Sequence, residues 1–469
     1  MRIRTDKSCE QVLQYGFRSI SEQFHLPRGF SDQVDAEAKL AAARLSDPSK
    51  WLGGPRADMT QLPFVTLDPA SSTDLDQAFC IEADGPELVL HYALADVAAL
   101  IDDGGLIDQE AWSRGVTIYG LAEKVPLYPV QISQHAASLL PDGPRPAFLV
   151  DVAIDVAGQL NLRSIQRVIC ASRAKLAYDS VNVEQLSEFR EFARRMELNE
   201  IKRGAMRFQF PEQEVQADVN SPGGVRLDLR TPLESEQMNA TLSLSVNLAI
   251  AELFLEAKTG LFRVMEEPEE RAIKRLRLEA HALGIDWPES QSLHSLMQSL
   301  DQEKMDHKRF LLTARRAGGR AGYAEFNDAR KPWHFAVAAS YVHATAPMRR
   351  LADRYVLELA FRIANQLPVT DALTDALHRL PPLMDRTGSR AKSVAQAVID
   401  LIEAVSLQHR IGEILDAEVV DADSKIVQTV DSAIRSRVAA LPPVRDGDTV
   451  KVRIDAADPV QRKILLTAV

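Results

Sequence analysis

The sequence predicts an α+β protein of several domains: a small helical module at residues 1–58, a large mixed α/β domain at 59–410 and a small β-barrel at 411–469. Three observations carry this reading. The first stretch is alanine-rich with helical spacing, the second joins strand-length apolar runs to long helical patterns, and the last is short alternating runs broken by Asp-Gly and Asp-Pro. At 469 residues and 46% hydrophobic composition the chain is long enough for more than one core.

In chain order, "SDQVDAEAKLAAARL" offers Ser31 or Asp32 as a helix cap before an amphipathic run, and "GGPRADMTQLP" then breaks the helical texture. A winged helix is one form this module could take. From Phe64 the pattern turns to strands in "FVTLD", "LVLHYALADVAAL", "AFLVDVAIDV" and "LNLRSIQRVIC". Helices dominate from about 175 to 410, clearest in "ERAIKRLRLEAHALGI" and "DRYVLELAFRIANQL", each with an apolar stripe. The tail, "ILDAEVVDADSKIVQTV" to "DGDTVKVRIDAADPVQRKILLTAV", reads as a small antiparallel barrel.

The formal net charge is -11, which argues against a protein held to nucleic acid by its overall charge, so any polyanion site has to be local. Cys9, Cys80 and Cys170 lie far apart with no CxxC, so neither a zinc site nor a disulfide framework is signalled. No stretch approaches about 18 consecutive apolar residues. The expectation is a cytoplasmic monomer with no membrane and no protein partner.

"TLDPASSTDLDQA" places Asp68, Asp74 and Asp76 within nine residues. With "FVTLD" a strand and "TDLDQ" extended, alternation points Asp74 and Asp76 to one side. Two carboxylates about 4 Å apart repel by roughly 4 kcal/mol at an effective dielectric of about 20, so such a cluster needs protons or a cation. Oxygen-only donors suit Mg²⁺ or Mn²⁺; a solvated Asp/Ser turn is the alternative. Far downstream, "YVHATAPMRRLADRY" puts Thr345 and Pro347 at an expected helix start, followed by Arg349 and Arg350. This is either a phosphate clamp at a helix N-terminus or an Arg349–Asp353 surface pair. Lys308, Arg309, Arg315, Arg316, Arg320, Arg330 and Lys331 face only Glu325 and Asp328 nearby, as a polyanion path or a solvated face.

Taken together, "RADMTQLPFVTLDPASSTDLDQAF" and "HFAVAASYVHATAPMRRLADRY" resemble the opening and the arginine signature of the RNase II/RNase R (RNB) family of exoribonucleases, with further matching segments in order over about 55–410. The resemblance implies metal-dependent, processive hydrolysis of single-stranded RNA from the 3′ end to nucleoside 5′-monophosphates. It implies that Asp68, Asp74 and Asp76 hold Mg²⁺ (or Mn²⁺), that Asp76 is the critical acid and that Arg349 stabilises the transition state. Arg350 and His343 become RNA contacts. Tyr119 matches the aromatic residue stacking near the 3′-terminal base, with a core tyrosine as the alternative. Phe208 and Phe210 resemble a second stacking element, and Glu236 a substrate-channel acid. The tail resembles the family's OB-fold RNA-binding domain, here poor in aromatics.

This sequence departs from the pattern at Gln77, where the family has a fourth aspartate in metal contact; the amide oxygen is expected to stand in as a ligand. Ala346 and Leu351 replace the usual serine and tyrosine, and Ile399 falls near an expected acid. The first 58 residues are too few for two cold-shock barrels, so a short member is expected, with a channel entrance open enough to admit RNA structured near its 3′ end. The rival reading is a catalytically silent RNA-binding relative whose metal site is weakened by Gln77.

Overall fold

Strand-length apolar runs in residues 57–177 build one twisted sheet, its central strands buried almost throughout, and the buried faces of the later helices close over it. The structure, a computed structural model, describes residues 7–120, 124–183, 186–205, 212–217, 225–230, 232–301, 304–317, 319–430 and 434–469. Nine strands arise before residue 178: β1 (Ala57–Asp58), β2 (Val65–Asp68), β3 (Gln77–Asp84), β4 (Glu87–Ala95), β5 (Ile118–Tyr119), β6 (Lys124–Val125), β7 (Arg145–Ile154), β8 (Leu160–Cys170) and β9 (Ala174–Ala177). Strands β5 and β6 form a separate hairpin. The other seven make the sheet β1-β8-β7-β4-β3-β2-β9, parallel at its two outer pairs and antiparallel between. Two small ladders follow, β10 (Glu212–Ala217) with β11 (Val225–Arg230) and β12 (Leu261–Val264) with β13 (Gly322–Glu325).

Ten helices complete the described architecture. They are α1 (Lys7–Gln23), α2 (Asp32–Ala43), α3 (Leu106–Arg114), α4 (Ser187–Arg203), α5 (Glu234–Glu256), α6 (Glu270–Ala282), α7 (Leu293–Ser299), α8 (Met305–Ala317), α9 (Leu351–Ala364) and α10 (Asp371–Leu407). As expected, Ser31 caps α2, its hydroxyl accepting from Val34 N at 3.3 Å. Helix α5 packs across β4, β7 and β8, α4 covers β3 and β7, and α9 lies on β8. Among the described residues α5 alone is long and apolar enough to cross a membrane, yet most of that stretch is buried against the sheet, where Met238, Leu242, Val246 and Phe254 join the main core.

The five remaining strands, β14 (Ile414–Asp421), β15 (Ile426–Thr429), β16 (Arg435–Arg437), β17 (Thr449–Asp458) and β18 (Lys463–Ala468), form an antiparallel sheet in the order β16-β15-β14-β17-β18. A bridge between Val438 and Leu466 brings its two edges together, so the sheet curls into the OB-like barrel that the alternation foretold. Alternate residues Leu415, Ala417 and Val419 of β14 meet Val450, Val452 and Ile454 of β17 inside. Leu13 and Ile20 of α1 enter this same second core beside Val398, Leu401 and Val405 of α10, whereas Val34, Ala38 and Ala41 of α2 belong to the core of the sheet. The described residues before Ala57 are therefore helices and turns shared between two cores.

On the sheet face away from α4, His91 of β4 sits opposite Cys80 and Asp151 on its neighbours. Its Nδ1 lies 2.7 Å from Asp151 and its Nε2 2.9 Å from Glu82, while Ser164 donates to the other Asp151 oxygen at 2.6 Å. The hydrogen bond to Asp151, then the one to Glu82 and both charges, hold the imidazole above its ordinary value of 6.5. A raised folded value stabilises the protein fully below the unfolded value, and that contribution fades as pH rises through the folded one. The denaturant midpoint should therefore drop between about pH 6 and about pH 8 more steeply in the native chain than in His91→Gln. Parallel curves would mean that His91 carries no charge in the fold.

Candidate active site

The acids stand on the turn between two sheet strands. Strand β2 ends at Asp68 and β3 begins at Gln77, so residues 69–76 connect the two strands outside the sheet ladder. Alternation survives locally nonetheless. Leu75 is fully buried, so its neighbours Asp74 and Asp76 point away from that core. The loop is sewn down on both sides of Leu75: the Ser138 hydroxyl accepts from Leu75 N at 2.9 Å and donates to Thr73 O at 2.7 Å, and Leu139 N donates to Leu75 O at 3.0 Å. Lys175 of β9 adds two bonds, to Ala70 O (2.8 Å) and Ser72 O (2.5 Å).

The arginines arrive differently from the sequence expectation. Helix α9 begins at Leu351 with Arg350 at its N-cap, several residues after Thr345 and Pro347. Residues 344–349 form a turn because its amides already have distant partners: Ala344 N donates to Asn247 Oδ1 (2.9 Å), Ala346 N to Asp353 Oδ2 (2.8 Å) and Met348 N to Asp76 Oδ1 (2.7 Å). Asp353 is wholly buried and pairs with Arg350 through three contacts of 2.7–3.1 Å, so the expected Arg349–Asp353 pair is replaced by an Arg350–Asp353 one. This binds Arg350 into the fold. Gly115, at φ +68° after α3, accepts from Leu351 N, and a Cβ there would lie 2.5 Å from the Thr387 hydroxyl.

Arg349 is thereby left facing the acids. Its carbonyl is held by Thr117 N (3.0 Å), its side chain is 45% exposed, and Nε lies 3.5 Å from Asp76 Oδ2. Burial pushes Asp76 up to about 7, against the pull of Arg349 and the Met348 amide. Burial also pushes Asp68 up to about 7, and the charge of Asp74 adds to this while Arg349 and Lys175 oppose it. Asp74 itself is paired with Lys124 of the β5–β6 hairpin at 2.8 Å.

These residues fit a hard divalent cation. No hydrogen-bond donor among the described residues reaches the Asp68 carboxylate, and a buried carboxylate without a donor calls for a proton or a cation. The site is not preformed, however: among the described residues no three acidic, imidazole or thiol side chains stand together as a metal cluster. Asp68 and Asp76 are the donors on offer, and Asp74 can join them on release from Lys124.

The remaining expected residues divide. Tyr119 is 53% exposed and within electrostatic reach of Arg349, Asp74 and Asp76, which excludes the core-tyrosine alternative. His343 bonds the Tyr323 hydroxyl through Nδ1 (2.8 Å) and packs edge-on between Tyr323 and Tyr341, and burial keeps it neutral, so it braces the turn. Glu236 accepts from Leu233 N at the start of α5 and pairs with Arg230 at 2.6 Å, a helix-capping post beside Tyr178. Phe208 and Phe210 lie outside the described residues. In the basic stretch, Arg330 pairs with Glu266 and Arg320 reaches Asp385 O and Ser389. Gln77, expected to offer its oxygen to the cation, has that oxygen on the Tyr92 hydroxyl and its nitrogen on Thr345 O. Lys124, Ser138 and Tyr92 were not legible as site residues, since each comes from another element, Lys124 to Asp74, Ser138 to the backbone of the acidic loop and Tyr92 to Gln77.

A family model described as the RNB domain matches residues 56–364. Ribonuclease R of Thermotoga maritima is 27% identical over 425 residues, covering 84% of this chain and 58% of that protein. The structure of Mycoplasma genitalium RNase R in complex with ribose methylated single-stranded RNA superposes with a TM-score of 0.86 at 20% identity, over 97% of this chain and 78% of that one. The same enzyme in complex with double-stranded RNA gives a TM-score of 0.84 at 21% identity, over 97% and 83%. The chain spans about half the length of the curated relatives it matches.

Proposed function

The chain belongs to the RNB-domain family, and from that premise we propose that it is a metal-dependent 3′→5′ exoribonuclease that hydrolyses single-stranded RNA processively to nucleoside 5′-monophosphates. The observation that carries the reading is the exposed guanidinium of Arg349 set 3.5 Å from the buried carboxylate of Asp76, with Asp68 in electrostatic reach. Nothing in the folding of this chain requires an arginine half in water to meet an acid that burial has raised to about 7. Chemistry on a phosphodiester does.

Asp68 and Asp76, joined by Asp74, would hold Mg²⁺ or Mn²⁺, which neutralises the scissile phosphate and polarises the attacking water. The protein's own groups do the rest. Arg349 places its charge on phosphate oxygens as negative charge builds there. Water adds to phosphorus, the bond to the 3′-oxygen breaks, and that oxygen takes the proton, leaving a 5′-monophosphate and a shortened strand with a new 3′-hydroxyl. Tyr119 stacks the terminal base and so registers the phosphate over the acids; stacking tolerates any base and is worth about 1–3 kcal/mol. Residues 411–469 contain no aromatic side chain, so the barrel contributes backbone contacts. With Cys80 and Cys170 as free thiols, a monomer in the reducing cytoplasm is the setting we propose.

A 5′-labelled single-stranded RNA on a denaturing gel tests this with Mg²⁺, Mn²⁺ or EDTA. A ladder shortening from the 3′ end and lost in EDTA is expected; internal cuts, or RNA bound but never shortened, would defeat the proposal. A duplex with a short 3′ overhang on the same gel should be degraded beyond its overhang, and stalling well outside the duplex would remove the tolerance of structured RNA. Tyr119→Ala should lengthen the limit product while early rates change little. An unchanged limit product would end the stacking role.

A further inference from the structure

Asp76 and Gln77 are consecutive, and they grip the same turn at points three residues apart. Asp76 Oδ1 accepts from Met348 N at 2.7 Å, and Gln77 Nε2 donates to Thr345 O at 2.5 Å. The Thr345 carbonyl can only accept, so the amide nitrogen has to face it and the amide oxygen has to face the Tyr92 hydroxyl, which donates. Tyr92 stands opposite Phe79 on β4, one diagonal step from Gln77 on the same sheet face, and is fully buried. Burial also keeps its phenol protonated, and hence a donor. A side chain at 77 therefore needs an acceptor on one branch and a donor on the other. A carboxylate has no donor and would set its charge against the Thr345 oxygen.

We propose that Gln77 is a positioning residue and not a metal ligand: its amide bridges Tyr92 of the sheet to Thr345 of the turn and, with the Asp76–Met348 bond, fixes the turn that presents Arg349. The rest of the turn points the same way. Between the two grips Ala346 N is tied to Asp353, just beyond them the Arg349 carbonyl is tied to Thr117 N, and on the near side Asn247 of α5 holds Ala344 N at 2.9 Å and reaches the Thr345 hydroxyl at 3.4 Å, so the turn is held by a few bonds from several elements. Release at Thr345 frees the segment whose orientation decides where the guanidinium points. The catalytic part of this inference rests on the exoribonuclease reading; the clamp itself does not.

The test compares Gln77→Glu, nearly isosteric but without the donor, with Tyr92→Phe, which keeps Gln77 and removes its anchor. Three readouts are taken: amide hydrogen exchange at Ala346 and Met348, kcat against KM on single-stranded RNA, and Mn²⁺ binding by calorimetry with the metal alone. For Gln77→Glu we expect exchange to quicken on the order of tenfold and kcat to fall about tenfold to a hundredfold with KM unchanged. Mn²⁺ affinity should stay as in the native chain, and Tyr92→Phe should move in the same direction by less. Tighter Mn²⁺ binding by Gln77→Glu, with exchange unaltered and kcat kept or raised, would make Gln77 a weak metal ligand and overturn the proposal. Should Gln77→Glu not fold, Tyr92→Phe alone decides, since unaltered exchange and unaltered kcat there refute the bridge. A native chain that cleaves no RNA would sink the functional reading, while the exchange comparison still decides the clamp.

Discussion

Asp76→Asn is expected to abolish RNA degradation, by about a thousandfold or more in kcat, while leaving RNA binding and the fold in place. The amide oxygen of the replacement side chain can still accept from Met348 N, so the 2.7 Å bond that sews the acidic loop to the arginine turn survives the change. What is lost is the negative charge that orients Arg349 at 3.5 Å and that would hold the cation, and charge stabilisation of this kind contributes several kcal/mol in the transition state. The check is single-turnover cleavage beside filter binding of the same RNA, with the thermal midpoint measured for both proteins. Equal losses of binding and rate would place Asp76 in the substrate path or in the fold; retained cleavage would remove it from the chemistry.

The second large effect is Arg349→Ala, with an expected loss of about a hundredfold to a thousandfold in kcat, the range found on removing one donor from a developing anion. Stability should barely change. The side chain is 45% exposed, and its 3.5 Å contact with Asp76 is long for a hydrogen bond, so little of the fold depends on it. Arg349→Lys should recover only part of the rate, because a point charge cannot present the planar fork that grips two phosphate oxygens. Arg350→Ala should behave in the opposite way. It strands Asp353, wholly buried and bound to Ala346 N, and so should destabilise the protein first and slow it only as a consequence. A rise in KM or a fall in kcat for Arg350→Ala at full stability would give Arg350 the phosphate contact.

Much of this arrangement was written locally in the chain and some of it was not. The strands from Val65 to Cys170 follow from short apolar runs separated by turn residues, and the Ser31 cap from a three-residue pattern, because the forces behind them act between near neighbours. The three acids and Arg349 could be picked out as a set by resemblance. Their exchange of partners could not, since Gln77 meets Thr345 across 268 positions, and whether its amide finds a cation or a carbonyl depends on which turn folds over it. The start of α9 lies later than Thr345 and Pro347 suggest: their chemistry is that of a helix start, but Arg349 N and Arg350 N both return to Ala346 O in a turn, and Arg350 is extended before the helix begins at Leu351. In α10, Pro381 and Pro382 lie inside a helix of 37 residues, where propensity alone predicts a break and packing of Leu377, Leu380, Leu383 and Met384 into the main core prevails.

The second core has a consequence for the order in which the protein is made. Leu13 and Ile20 of α1 are made well ahead of Leu401 and Val405 of α10, which share their core and follow some 380 to 390 residues later. At about 5–20 residues per second helix α1 waits roughly 20 to 80 s for this partner. Throughout that interval an apolar stripe on the nascent helix α1 stays in water, although the strands of the sheet, which end at Ala177, are already made. A helix made before the sheet is thus finished long after it, and it is there that a chaperone holding the growing chain has a long-lived target.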